Sequence, residues 1–272
     1  MLLIEGSASP HDYSLRPSEA KALDSADLLF WTSRDLTPWL YKTLNNRRQP
    51  IDDVELMSTP QTHRLSLRNN DNFGGEHDHS SHGHKNDADF SHDDAYKAGV
   101  DPHGWLDPAN AIYWLDVIAK KLSEADPDNR STYQNNAATA KLKIDTLTQN
   151  IITQLLPIKH LPFIVFHDSY HYFEQRFDIH AEAAIALSDA ELPGIRRMNK
   201  LKEQLLALDN ACVFSEPQFS DKMVSTLIRG LSISTGSLDS LGANLKPGET
   251  LYTGVLQQIA NELISCLEPD AN

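Results

Sequence analysis

Apolar and polar positions follow two rhythms along this chain, short near-continuous apolar runs and longer stretches with an apolar residue every three or four positions. The runs at 1–5 (MLLIE), 28–31 (LLFW), 163–166 (FIVF), 180–187 (HAEAAIAL), 211–216 (ACVFSE) and 233–239 (ISTGSLD) read as strands. Helices are predicted from Ser18 toward the 28–31 strand, from Asp35 to about Leu44, and over 107–126, where Asp107 caps and Pro108 enters the first turn. A longer helix follows Asp126 and Pro127. Its apolar stripe, Leu142, Ile144, Leu147, Ile151, Ile152, Leu155 and Leu156, lies toward its C-terminal end. Its first half is polar and alanine-rich, as expected of a helix crossing between two bodies. Beyond residue 157 come SYHYFEQRF, the helix opened by Pro193 and Gly194, DKMVSTLIRGL and the final GVLQQIANELISCL, all helical. Residues 50–102 have poor periodicity and read as loop with at most one short strand.

Strand–helix alternation implies parallel sheets covered by helices. The predicted fold is α/β in two lobes, 1–127 and 157–272, each a parallel sheet flanked by helices. One long rigid helix, 128–156, joins them, with a cleft between.

Length permits that division, since 272 residues can hold one large or two ordinary domains. The formal net charge of −14 argues against nucleic acid or an anionic membrane surface as partner and favours cations in the surrounding field. No run approaches the roughly 18 apolar residues of a transmembrane helix.

The charge picture sharpens around histidine. His11 lies in ASPHDYSLRPS, His103 in DPHGWLDP and His167 in IVFHDSY. The acidic tract 74–94 adds His77, His79, His82, His84 and His92. Neutral imidazole is the commonest transition-metal ligand, and this tract is otherwise acidic or small. Ligands of open α/β sheets gather beyond the carboxyl ends of strands. His11 follows strand 1–5, His167 follows 163–166, Asp239 follows 233–238, and His103 precedes a helix N-terminus. A lone histidine at any of these places is more often structural. Together they predict a metal site, and three imidazoles with a carboxylate or water suit tetrahedral Zn²⁺ better than manganese.

His63, His160 and His180 have no motif around them. His171 follows His167 by four residues, so helical geometry would put both on one face, as in a metal-dependent hydrolase. HDSYH lacks the glutamate of HExxH, however, and no GxSxG, P-loop or GxGxxG segment appears. The tract alone also fits a zinc buffer or surface adhesin. Cys212, in a buried strand, and Cys266, on the buried face of the last helix with Val255, Ile259 and Leu263, are compatible with one disulfide or with two buried thiols.

With these residues laid out, the whole chain resembles the zinc-binding periplasmic receptors (ZnuA type) of ABC zinc importers, the cluster A-I solute-binding proteins. The segments carrying the resemblance are PHDYSLRPSEAKAL with SADLLFW, the histidine tract, HGWLDPANA, FIVFHDSYHYFEQRF, CVFSEPQF and GSLDSLG. It implies a monomeric, periplasmic, non-enzymatic receptor that passes Zn²⁺ to a membrane permease with its cytoplasmic ATPase. It makes His11, His103 and His167 the zinc ligands and pairs Cys212 with Cys266, while the Gly/Ser/Asp-rich tract, which cannot build a core, is expected to bind additional zinc weakly. The manganese and iron receptors of the same family commonly carry a carboxylate where this chain has His167, so imidazole there favours zinc. Asp239 matches an aspartate that ligates metal in those relatives. Pro10 stands where some zinc receptors have a glutamate, which leaves Asp239 or water as the fourth donor. The resemblance also implies a strand and a helix before MLLIE, and the opening residues have no secretory n-region and h-region. A truncated or misassigned start, with a weaker N-terminal lobe, is therefore expected.

Overall fold

Two parallel sheets, with one long helix between them in chain order, make up the computed structural model, which describes residues 2–4, 8–47, 51–68, 99–186, 193–208 and 210–268. The tract histidines at 77, 79, 82, 84 and 92 lie outside the described residues.

In the first lobe, α1 (Pro17–Asp24) leads to β1 (Leu28–Trp31), α2 (Pro38–Asn45) and β2 (Asp52–Glu55). The two strands pair in parallel from Leu28 against Asp52 to Trp31 against Glu55. A small core gathers Leu23, Trp31 and Leu40. Glu19 closes the first turn of α1, accepting the Arg16 N–H at 2.7 Å and the Tyr13 hydroxyl at 2.8 Å. α2 starts at Pro38 rather than at Asp35. Proline keeps its preceding residue out of the α region and itself sits well at the first helical position, so the helix cannot reach back through Thr37. Residues 2–4, expected as a strand, are coil and bend. A strand is held by its ladder, and among the described residues no strand pairs with them.

The segment between the lobes' helices begins with α3 (Pro108–Ala125), capped by Asp107, whose Oδ1 accepts the Ala109 N–H at 2.9 Å. α4 (Arg130–Leu155), 26 residues long, then packs against both α3 and the final helix. Its buried positions are Ala137, Ile144, Thr148, Ile151 and Leu155. Leu142 is 71% exposed and Leu156 55% exposed, so the expected stripe is too wide. Leu142 is two residues from Ile144, about 200° around the helix, which puts it on the opposite face.

The second lobe contains β3 (Phe163–His167), α5 (His171–Phe177), β4 (Ala183–Ala186), α6 (Ile195–Ala207), β5 (Cys212–Ser215), α7 (Lys222–Leu227), β6 (Ser234–Ser237) and α8 (Leu251–Leu267). All pairings are parallel, in the order β4-β3-β5-β6. Alternation along the strands feeds two cores. Phe163, Val165, Cys212 and Phe214 face α4 and α8, while Ile164, Phe166 and Val213 face α6 and α7. Cys212 and Cys266 form a disulfide that ties β5 to α8, with Cα atoms 6.1 Å apart. Gly236 of β6 lies so close to this region that a Cβ would fall 2.7 Å from the Phe214 ring. Among the described residues no helix is long and apolar enough to cross a membrane.

The lobes meet through a polar, partly buried seam. Arg68 donates to both carboxylates of Asp168 and Glu174, from Nε at 2.9 Å and Nη1 at 2.8 Å respectively. Arg176 of α5 forks onto Asp107 at 2.7 and 2.9 Å. Tyr172 donates to the Asp101 carbonyl at 3.0 Å, Trp105 Nε1 to the Ser240 carbonyl at 2.9 Å, and Tyr252 to the Trp105 carbonyl at 2.8 Å. Residues 101–107 are thus docked on the second lobe.

Candidate metal centre

His167 is the last residue of β3, at the carboxyl end of a strand buried along its whole length. Its side chain is delivered there by the strand and held by the turn that follows. His103 comes from the segment docked across the seam, one residue before a 3₁₀ turn at Gly104–Leu106. His11 approaches from the loop before α1, which is pinned where Trp39 Nε1 donates to the Pro10 carbonyl at 2.8 Å.

The three imidazoles converge. One donor nitrogen from each lies within 4.8 Å of the others. Ring centroids are 5.0 Å apart for His103 and His167, 5.3 Å for His11 and His103, and 5.7 Å for His11 and His167. His103 and His167 are buried, and His11 is half-buried. The Nε2 atoms of His11 and His103 are 3.3 Å apart. Two nitrogens bound at about 2.0–2.1 Å to one tetrahedral zinc ion stand about 3.3 Å apart. The spacing therefore matches a pair of ligands sharing an ion.

Asp101 sets the orientation of His103. Its Oδ1 is 2.7 Å from His103 Nδ1 and 3.0 Å from the His103 backbone N–H. An Nδ1–H donated to this carboxylate leaves the Nε2 lone pair for the metal. Burial pushes the Asp101 carboxyl up, but the charge and hydrogen bonds of His103, with His171 beside it, bring it below the ordinary carboxylate range. Asp101 therefore stays ionised. Burial foremost, then the nearby His103 and His11, hold the His167 pKa well below its ordinary value, which keeps its imidazole in the neutral, ligating form. Trp105 and Phe219 form apolar walls, with ring centroids 5.3 Å from His103 and 6.1 Å from His167. Glu216, Gln218 and Ser240 also line this cleft.

Other histidines lie elsewhere. His63 Nδ1 is 3.0 Å from Asp107 Oδ2. His160 and His180 are exposed. His171 opens α5 while His167 ends β3, so the two do not share a helix face as the i, i+4 spacing had suggested. Instead His171 Nδ1 stands 3.6 Å from Asp101 Oδ2. Asp239 has its Oδ1 on the N–H groups of Gln218 at 3.0 Å, Leu241 at 3.1 Å and Gly242 at 2.9 Å, and its Oδ2 on Ala243 N–H at 2.6 Å. It clasps the loop after β6 and does not join the histidine cluster. Asp101 was not singled out by the sequence, although an acidic residue two places before a candidate ligand histidine is a signal for it.

The sequence profile described as "Zinc-uptake complex component A periplasmic" matches residues 1–266. The high-affinity zinc uptake system protein ZnuA of Brucella abortus (strain 2308) is 37% identical over 282 aligned positions, which cover 98% of this chain and 84% of that protein. A crystal structure of ZnuA superposes with a TM-score of 0.72 at 25% identity, covering 96% of this chain and 89% of that one. The fold also matches the periplasmic zinc binding protein TroA from Treponema pallidum, with a TM-score of 0.77 at 18% identity over 97% and 89% of the two chains.

Proposed function

Since this chain belongs to the family of periplasmic zinc-uptake complex component A proteins, we propose that it captures Zn²⁺ with high affinity and delivers it to the membrane permease of an ABC-type importer. It is a binding protein, not an enzyme. Zinc is its cargo, held in the cleft between the lobes by His11, His103 and His167. The observation that carries this assignment is the convergence of three imidazoles, two of them with Nε2 atoms at the 3.3 Å separation of tetrahedral zinc ligands. An all-nitrogen protein donor set also favours zinc over manganese, which prefers oxygen. The protein works as a monomer in the periplasm, with the permease and its cytoplasmic ATPase as partners. The tract histidines His77, His79, His82, His84 and His92 supply weaker zinc equivalents.

Zinc titration against a chelator of known affinity tests the reading. The full chain takes one tight equivalent, and alanine at His11, His103 or His167 weakens it by orders of magnitude, since each removes one of about four ligands. A triple alanine variant that still holds one equivalent as tightly as the unaltered chain refutes the assignment.

A further inference from the structure

Three imidazoles leave one corner of a zinc tetrahedron open, and the cleft itself indicates what lies beyond it. The ligating imidazoles are neutral, so the ion's two positive charges fall on the surroundings. Asp101 offsets one of them through His103. Asp239 lies outside the histidine cluster, its carboxylate held by four N–H donors of the loop after β6 and of Gln218. The carboxylate that does line the cleft with the three histidines is Glu216, only 3% exposed, just past the end of β5. Beside it, Gln218 gives its side-chain N–H to Asp239, which settles the direction of its amide. Its Oε1 is thereby left buried, with no hydrogen-bond partner among the described residues, in the lining of the same cleft. This wall thus offers acceptors, which suit a cation or the protons of its bound water.

Among the described residues no carboxylate oxygen joins the three imidazole nitrogens within 4.8 Å. Direct ligands of one zinc ion would stand about 3.3 Å apart, and Glu216 lines the cleft without joining that set. We propose that Glu216 completes the site through a water molecule. The water occupies the fourth coordination position and donates its protons to the Glu216 carboxylate and to Gln218 Oε1, and the carboxylate offsets the second charge of the ion. Glu216 is a positioning residue here, acting on the ion through its water. In chemical terms the site selects a divalent ion that keeps one water.

The inference rests on His11, His103 and His167 as the ligands, and the test separates the two. Chelator-competition titrations would compare the unaltered full chain with E216Q, E216D and H103A, with circular dichroism to verify folding. E216Q is expected to keep one equivalent but bind it about 10–100-fold more weakly, the range for loss of an outer partner of a metal site. E216D is expected to recover part of that loss. The visible spectrum of the Co²⁺-loaded chain should stay four-coordinate in E216Q while its bands shift, a change that a purely structural role would not produce. H103A tests the ligand assignment alone. A collapse of affinity in H103A with E216Q unchanged in both affinity and spectrum overturns the role of Glu216 and leaves the ligands standing. X-ray absorption at the zinc edge of the unaltered chain needs no variant. Three imidazole nitrogens with one oxygen are expected, and four nitrogens, or no fourth donor, overturn the proposal.

Discussion

At His167, burial and two neighbouring imidazoles act on one side chain in the same direction, and the result reaches beyond the site to stability. Its folded-state pKa lies well below 6.5, whereas in the unfolded chain it returns to about 6.5. As the pH falls through that value the unfolded chain takes up a proton that the folded chain refuses, so stability contributed by the neutral residue is lost on acidification. Thermal unfolding of the metal-free chain from about pH 7.5 down to about 5.5 should show a falling midpoint. H167Q should flatten the slope, and equal slopes in the two chains would contradict the assignment. Zinc affinity should also weaken on acidification, once the imidazoles of the folded chain take up protons, because a protonated imidazole cannot ligate. His11, His103 and His167 are legible in the sequence because each sits in a distinctive motif at a predicted strand or helix end. Glu216 and Arg68 are not, because their roles exist only once the seam and the cleft have formed, and Asp101 shows only in its place two residues before His103.

Elements follow the same division between local and tertiary information. The strand runs at 28–31 and 163–166 are read correctly because each is apolar throughout; the second is fully buried, while the first is half-buried up to Trp31. Helix α4 is read correctly as a helix, but only part of its stripe is buried, because the apolar count alone does not say which face meets α3 and α8. Two substitutions measure the difference. Ile151, 0% exposed, should cost about 2–5 kcal/mol when cut to alanine. Leu142, 71% exposed, should change stability by no more than about 0.5 kcal/mol. Denaturant unfolding reads both, and a similar cost at the two positions would contradict the packing of α4. The disulfide links positions 54 residues apart, β5 to α8. Chain-entropy arithmetic for a loop of that length puts its contribution at about 4 kcal/mol. Unfolding of C212S/C266S, followed in the second lobe, should show a loss of that order.

For the whole molecule, the seam makes the two lobes unequal holders of the metal. Residues 101–107 belong by sequence to the first lobe but are bonded across to Tyr172, Arg176, Ser240 and Tyr252. His103 and His167 therefore sit on one bonded framework, while His11 arrives on a separate loop. Sequence order predicts two lobes and a cleft, but it could not predict this exchange. The residues bracketing 69–98 are also tied to one another. Leu67 N–H donates to the Gly99 carbonyl at 3.2 Å, Asp101 N–H to the Leu65 carbonyl at 2.9 Å, and Ser66 bridges Val100 in antiparallel fashion. The chain thus departs from and returns to a single point, two residues short of Asp101. Loop-closure entropy rises by only about 0.6 kcal/mol for each doubling of length, so what is spliced between these ends is nearly free to vary. Deleting residues 74–94 should leave the melting temperature and the tight zinc equivalent almost unchanged while removing weak equivalents, and loss of the tight equivalent would show that the tract supplies ligands. The closed base acts as a socket: inserts of different size and histidine content can be exchanged there while the ligand framework keeps its shape, so capacity for zinc and grip on zinc can evolve independently.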